Sequence, residues 1–500
     1  MSSTEERAAS PEPESEPVGE ARYTGTAGER LGRPVLTTID AIAQSLAIGP
    51  IFSTAFVAFL IAGAAGGAAP IAALIGAVGV LALGWVISLY ARRYQGAGAI
   101  YDYLRRTNSA FGLFAAGMYF VGTLVLDCGG YLVIGLLVTQ TLANYLNWNI
   151  PWWIISLIAA AALFAVNHFG IRVATRVQLT LTGLSVIPLL ILALAIIFQG
   201  GDAGNTLQAF NPTQVPVNGI FIGVLFAITL FIGFETSASL GEETANPQRS
   251  IPRAVIFTVL IAAAFYLVLI YASDIGYGLN HTDKWASDPV ALDTLATRYV
   301  GKWLAVLIDI AVFLDALAVM SAFMATTARG WFAVARAGLL PSPLARQSRR
   351  YGTPLGGNVL VVSAAIVLVI VTAIFQGSDA NGQANVFNQF GIMTGLGSLL
   401  IEAIYIFLAV AAVRFLLKEP QKWWQWIFLL VAIVTPFLGI YGSVVPFPVW
   451  PTSLGVFGAI AGVVLAAIWT LVMLRLRPAQ VSKASEAYAW EGDEASHALF

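Results

Sequence analysis

From residue 34 onward the chain runs in long, continuous apolar stretches broken by short polar ones, rather than in ten-residue segments of alternating polarity. The first pattern belongs to membrane-crossing helices and the second to β-barrels. A crossing helix needs about 20 mostly apolar residues, and twelve stretches answer to that: 36–61, 70–90, 111–142, 151–166, 177–198, 217–240, 254–276, 303–328, 359–375, 390–413, 426–441 and 454–474. The fourth and ninth are short. The expectation is an all-α integral membrane protein with twelve transmembrane helices.

Charge then orients the spans. If the N-terminus is cytoplasmic, 23 of the 26 basic residues fall in the tails and in the loops that follow even-numbered spans. Only Lys284, Arg298 and Lys302 fall outside, all in one long loop. This bias predicts a multi-pass protein of the cell membrane with both termini inside. Residues 1–29 are acidic, contain proline and lack an apolar core, so they read as a cytoplasmic tail rather than a cleaved signal. With 58% hydrophobic and 11% charged residues the composition is far from a soluble domain, and a net charge of −1 gives no basic face for nucleic acid. Cys128 is the single cysteine and there are three histidines, so neither an intramolecular disulfide nor a Cys/His metal site is expected.

Two spans carry interruptions. Span 1 contains Ile48-Gly49-Pro50-Ile51 about 13 residues in, and a proline there removes a backbone bond and clashes with the preceding turn. Span 6 contains Ile232-Gly233-Phe234-Glu235, a glycine and a carboxylate where an apolar helix should continue. Five spans separate the two. Because five is odd, spans 1–5 repeated as spans 6–10 would have inverted topology, the arrangement that builds a central site between two broken helices. A proline kink and a packing glycine are the plain alternative. A broken helix offers amides at one half-helix start and carbonyls at the other half-helix end, which suits a zwitterionic cargo.

The loops carry a resemblance. Gly233-Phe234-Glu235, followed by Gly241-Glu242-Glu243-Thr244-Ala245-Asn246-Pro247-Gln248-Arg249 and Ser250-Ile251-Pro252-Arg253-Ala254, closely resembles the span 6 to span 7 signature of the amino acid-polyamine-organocation permeases. Gly96-Ala97-Gly98-Ala99-Ile100-Tyr101, Asn167-His168-Phe169-Gly170-Ile171-Arg172, and Arg329 with Val334-Ala335-Arg336-Ala337-Gly338-Leu339-Leu340-Pro341 resemble the same family. The likeness covers spans 1 to 10. It implies an amino acid transporter of the sodium-symporter-like inverted-repeat fold, with spans 11 and 12 peripheral. The expected units are a tail (1–33), a first repeat (34–200), a second repeat (201–418), the peripheral spans (419–477) and a cytoplasmic C-terminal tail (478–500).

The resemblance puts cargo at Ile48, Gly49, Pro50, Ile51, Phe52 and Ser53 in span 1, and at Thr229, Phe231, Ile232, Gly233 and Phe234 in span 6. Three departures bear on it. Family members commonly show Gly-Ser-Gly-Ile/Val-Phe in span 1 and bind the cargo carboxylate through free amides; here Pro50 has no N–H to give. Thr229 stands where a subset has an aromatic lid. Ser185 stands where some proton-coupled members have a span 5 lysine. A sodium site of the usual type would join span 1 carbonyls to Ser321, with Ser185 nearby.

Ionisable groups at bilayer depth are costly, and five acids fall inside the spans: Asp127, Glu235, Asp309, Asp315 and Glu402. No basic residue lies mid-membrane to pair with them, so each must be protonated, face water, or hold a cation or a cargo ammonium. Glu235, beside the second break, matches the family acid that the resemblance links to the substrate site or to protons. Asp127 and Asp315 are further coupling candidates, with an interhelically bonded carboxyl as the bland alternative. Asp309 and Asp315 are six residues apart and point about 120° away from one another on a helix, too far round to form a dyad. Glu402 reads as structural. Trp148, Trp152, Trp153, Trp423, Trp424 and Trp426 read as interfacial anchors. Arg329 and Arg336 with Glu242 and Glu243 are candidate cytoplasmic gate pairs, although solvated loop charge is the commoner case.

A channel would need a continuous polar path, and an enzyme a nucleophile with its base; neither pattern is present, nor is a nucleotide-binding loop. The sequence thus predicts a secondary transporter without cofactor or bound metal. Its partners are an amino acid or related amine, a proton or sodium ion, and the bilayer. The five acids favour protons, because hydroxyls alone supply no charge to hold a cation.

Overall fold

The computed structural model describes residues 31, 34–47, 49–288, 290–376, 380–418 and 422–486. Ile48 and most of both tails lie outside them. The first apolar stretch is not one helix. Thr37 and Asp40 form a reciprocal cap, with the Thr37 amide donating to Asp40 Oδ2 at 2.8 Å, and start α1 (Thr38–Leu46). Gly49 then takes φ +74°, and Pro50 opens α2 (Pro50–Ala65) as its first residue, where a missing N–H costs nothing.

A tight turn leads to α3 (Ala69–Ala91), the short α4 (Ile100–Arg105), α5 (Ser109–Leu146), α6 (Trp152–His168), α7 (Ile171–Gln199) and α8 (Val217–Thr229). A run of turns with one tight helical turn, Thr236–Leu240, separates α8 from α9 (Pro247–Tyr277). The long outer loop contains α10 (Thr282–Ser287) and α11 (Ala291–Tyr299). The chain continues through α12 (Lys302–Arg336), α13 (Leu355–Gln376), α14 (Ala380–Lys418), α15 (Trp423–Val444) and α16 (Ser453–Leu476). Part of the expected C-terminal tail is helical, as α17 (Pro478–Glu486). Among the described residues the only β pairing is one isolated bridge, Leu36 to Thr244.

Nine runs among the described residues are long and apolar enough to cross a membrane. One of them, Thr38–Ala91, spans α1, α2 and α3, which the hydropathy pattern divides into two crossings. Trp152–His168 and Val217–Thr229 are apolar but shorter. A count of twelve therefore requires dividing the first run and admitting both short helices.

The long helices α5, α12 and α14 make the centre, and small residues bring them together as expected where lipid removes the hydrophobic drive. A Cβ at Gly130 of α5 would meet Met320 Sδ of α12 at 1.9 Å, and one at Gly330 of α12 would meet the Phe120 ring of α5 at the same distance. Large apolar side chains such as Phe198, Phe375 and Leu471 point outward, a surface fit for acyl chains. Trp148, Trp423 and Trp424 are exposed as anchors should be, but Trp152 is buried, which corrects its reading. His168 is the last residue of α6 and stacks on Phe164.

Candidate functional site

The first break leaves the amides of Ile51 and Phe52 without intrahelical partners, as every helix start does. Both donate at 2.9 Å to one oxygen, Oδ2 of Asp315 on α12. The other oxygen lies 3.3 Å from the Ser185 hydroxyl of α7, whose one proton is shared with the Thr182 carbonyl at 2.9 Å. The carboxylate comes this close only because residue 49 is glycine: a Cβ there would lie 2.2 Å from Val319 Cγ2 and 3.2 Å from Asp315 Oδ2. Asp315 is fully buried, and no basic side chain faces it among the described residues.

The second break holds a carboxyl from its own strand of chain. Gly233 takes φ +103° and turns the backbone so that Glu235 faces inward. Tyr119 of α5 donates to Glu235 Oε1 at 2.8 Å, while Oε2 has no hydrogen-bond partner among the described residues. The amides of Gly233 and Glu235 turn toward this carboxyl, and the Tyr405 hydroxyl of α14 points at it without closing a bond. Tyr405 also packs its ring on Phe234, centroids 5.8 Å apart.

Tyr266 of α9 joins the two breaks. Its hydroxyl donates to the Leu230 carbonyl at the end of α8 at 2.7 Å and meets the Ser53 hydroxyl of α2, while Phe231 packs edge-on against its ring at 5.0 Å. Tyr119, Tyr266 and Tyr405 were missed from sequence. The signal was present, because a tyrosine within an apolar span must find a partner for its hydroxyl.

The remaining expected residues scatter. Thr229 turns its hydroxyl back to the Leu225 carbonyl, and Ile232 is buried. Phe52 packs at 6.0 Å from Phe390 of α14, and Phe390 also contacts Phe56 and Phe387, an aromatic cluster. Ser321 accepts from Asn167 and Gln178, at 3.2 and 3.1 Å. Six residues along α12 place it about 9 Å from Asp315. Asp127 is buried with both oxygens unpartnered among the described residues, and Glu402, facing Gly439 of α15, is buried with its Oε2 unpartnered among them. Asp274, near the end of α9, is a further buried acid within an apolar span that the sequence reading overlooked, and neither of its oxygens has a hydrogen-bond partner among the described residues. Asp309 faces Asp293 and Tyr145, away from Asp315. Burial and the Asp309 charge push the Asp293 carboxyl, outside the spans, up to about 7. Among the described residues no group of three or more His, Cys, Asp or Glu is placed to hold a metal ion.

One end of the bundle is closed by polar contacts. Arg329 Nε lies 2.6 Å from Glu243 Oε2, and Arg336 pairs with Glu242. Glu242 also accepts the Leu31 and Ala97 amides at 2.8 and 3.2 Å. Burial pushes this carboxyl up, but Arg336 and the two amides outweigh burial and hold it below its ordinary range. Both pairs are buried, against the commoner case of solvated loop charge. Above them, Gln44 Nε2 reaches the Ala322 carbonyl at 3.0 Å, Thr236 donates to the Gln44 carbonyl, and the Ser237 amide donates to Ser45.

A family-wide sequence profile described as amino acid permease matches residues 36–474. The chain belongs to the amino acid permease family. It is 26% identical over 304 residues to an uncharacterized transporter of Mycobacterium tuberculosis, covering 61% of this chain and 64% of that one. It is 27% identical over 207 residues to the branched-chain amino acid permease BcaP of Bacillus subtilis, covering 41% and 42%. The cadaverine/lysine antiporter of Escherichia coli is 23% identical over 347 residues, covering 68% and 75%. The match thus spans less than two thirds of the first two relatives' lengths. Among solved structures, a substrate-bound outward-open sodium-coupled sialic acid symporter aligns over 82% of this permease and 90% of its own chain, with a TM-score of 0.48 and 14% identity. The family is one of permeases, and the chain's apolar helices make it a multi-pass membrane protein.

Proposed function

We propose that this permease is a secondary active carrier for small amino compounds, amino acids or the amines related to them, working by alternating access with protons as the coupling ion. In this reading spans 1–5 and 6–10 are inverted repeats. The pair α1 and α2 forms one broken helix, and α8 with the turn Thr236–Leu240 forms the other. The cargo sits between them near the bilayer midplane, with both termini cytoplasmic. The observation that carries it is the pair of buried carboxyls, Asp315 and Glu235, one at each break and neither with a basic partner. Carboxyls so placed suit an ammonium group and a proton. Two relatives support an amine-bearing cargo, one named for branched-chain amino acids and one for cadaverine and lysine. The buried pairs Arg329–Glu243 and Arg336–Glu242 act as the cytoplasmic closure.

Ser185 is already engaged by Asp315, which favours protons over a sodium site at that hydroxyl. Uptake into proteoliposomes tests the reading. Saturable uptake with counterflow, unaltered when choline replaces sodium at fixed pH, is expected; non-saturable flux would indicate a channel, and collapse in choline would reject proton coupling.

A further inference from the structure

We infer that Asp315 is a specificity-determining residue: a tethered carboxylate that holds the amide pair a cargo carboxylate would need, so that this carrier takes amines lacking a carboxylate and rejects the matching amino acids. The inference rests on the carrier reading above and narrows its cargo.

A carboxylate is held at a helix start by the first few amides. At the start of α2 each is accounted for. Pro50 has none, Ile51 and Phe52 both donate to Asp315 Oδ2, and the Ser53 amide donates to the Gly49 carbonyl at 2.7 Å. The second break offers no substitute. The amides of Phe231, Ile232 and Phe234 donate to carbonyls of residues 228, 229 and 231, that of Thr236 to the Gly233 carbonyl, and that of Ser237 to Ser45. Those of Gly233 and Glu235 face the Glu235 carboxylate without closing a bond to Oε2, and its like charge would repel a cargo carboxylate from them.

An incoming carboxylate would have to expel Asp315 from two amides and the Ser185 hydroxyl. The expelled group would have no basic side chain to receive it, and two anions would then share a buried site. An amine meets the opposite situation. Its positive charge gains Asp315 where it stands, and Glu235 Oε2, buried and unpartnered, is a second acceptor near the other break.

A carboxylate at a helix start also serves as an ordinary cap, and the experiment separates the two roles. Purified protein in proteoliposomes is given matched pairs as competitors, lysine against cadaverine and leucine against 3-methylbutylamine, with thermal-shift binding as a parallel readout. The expected result is that each amine outcompetes its amino acid by at least about tenfold in the wild type. Asp315→Ala, which vacates the amides, should shift that ratio toward the amino acid by a similar factor. Asp315→Asn keeps an oxygen for the amides and so protects folding, yet it should weaken the amine alone. A wild type that prefers the amino acid, or an Asp315→Asn variant with an unchanged ratio, overturns the inference while leaving the carrier reading in place. Failure of every member of every pair to bind or move overturns both.

Discussion

The two breaks use one backbone device and complete it differently. At the first, the carboxylate arrives from another helix, and its two oxygens collect three donors, Ile51 N, Phe52 N and Ser185 Oγ. At the second, the carboxyl belongs to the break itself and closes one bond, from Tyr119 to Oε1, while Oε2 closes none among the described residues although the Tyr405 hydroxyl and the amides of Gly233 and Glu235 face the group. A saturated anion holds elements in place, whereas one with open capacity is free to take a proton or an ammonium. In the reading proposed above, this difference gives position and selection to Asp315 and exchange to Glu235.

Substitution at Gly49 should have the largest effect, since the first break depends on its backbone. Gly49→Leu places a side chain at φ +74° against Val319 and Asp315, so uptake should be abolished while membrane insertion, which leucine suits, continues. Unchanged uptake would reduce the first break to a kink. Asp315→Ala comes next. It leaves two buried amides unpaired, and thermal unfolding in detergent should show a loss of about 2 to 4 kcal/mol. A loss no greater than that of Glu235→Ala would erase the contrast between the breaks. Tyr119→Phe should be mildest, removing one bond for about 1 kcal/mol. Because it leaves Glu235 with no hydroxyl donor, it should shift the pH profile of uptake more than the stability. An unshifted profile would separate Tyr119 from the exchange role.

Much of this arrangement was legible in the chain. Gly49-Pro50 and Gly233 with Glu235 are local departures from an apolar helix, and local departures are visible in sequence. Asp315 was visible as a costly charge, but its partners Ile51 and Phe52 lie 264 and 263 residues away, and no periodicity encodes such a pairing. The same distance hid the tyrosines, because the Tyr119 bond to Glu235 spans 116 residues. Nor does the sequence show that Asn167 and Gln178 donate to the Ser321 hydroxyl from 154 and 143 residues away. The Glu242 and Glu243 pairs were gate candidates against the commoner case of solvated charge, and what buries them includes Leu31, whose amide donates to Glu242, and Leu36, whose amide donates to the Glu243 carbonyl. Burial of that kind depends on tertiary contact.

The most direct test is proton movement accompanying cargo in sealed proteoliposomes, read with an internal pH dye, for wild type and Glu235→Gln. The glutamine keeps the oxygen that accepts from Tyr119 and loses the titrating group. The wild type should move protons with cargo and show pH-dependent net uptake. Glu235→Gln should retain counterflow exchange of internal for external cargo but show neither proton movement nor the pH dependence. A glutamine variant with the wild-type proton signal and pH profile would contradict the account, leaving Glu235 a structural hydrogen-bonding group and moving the proton site to Asp127 or Asp315.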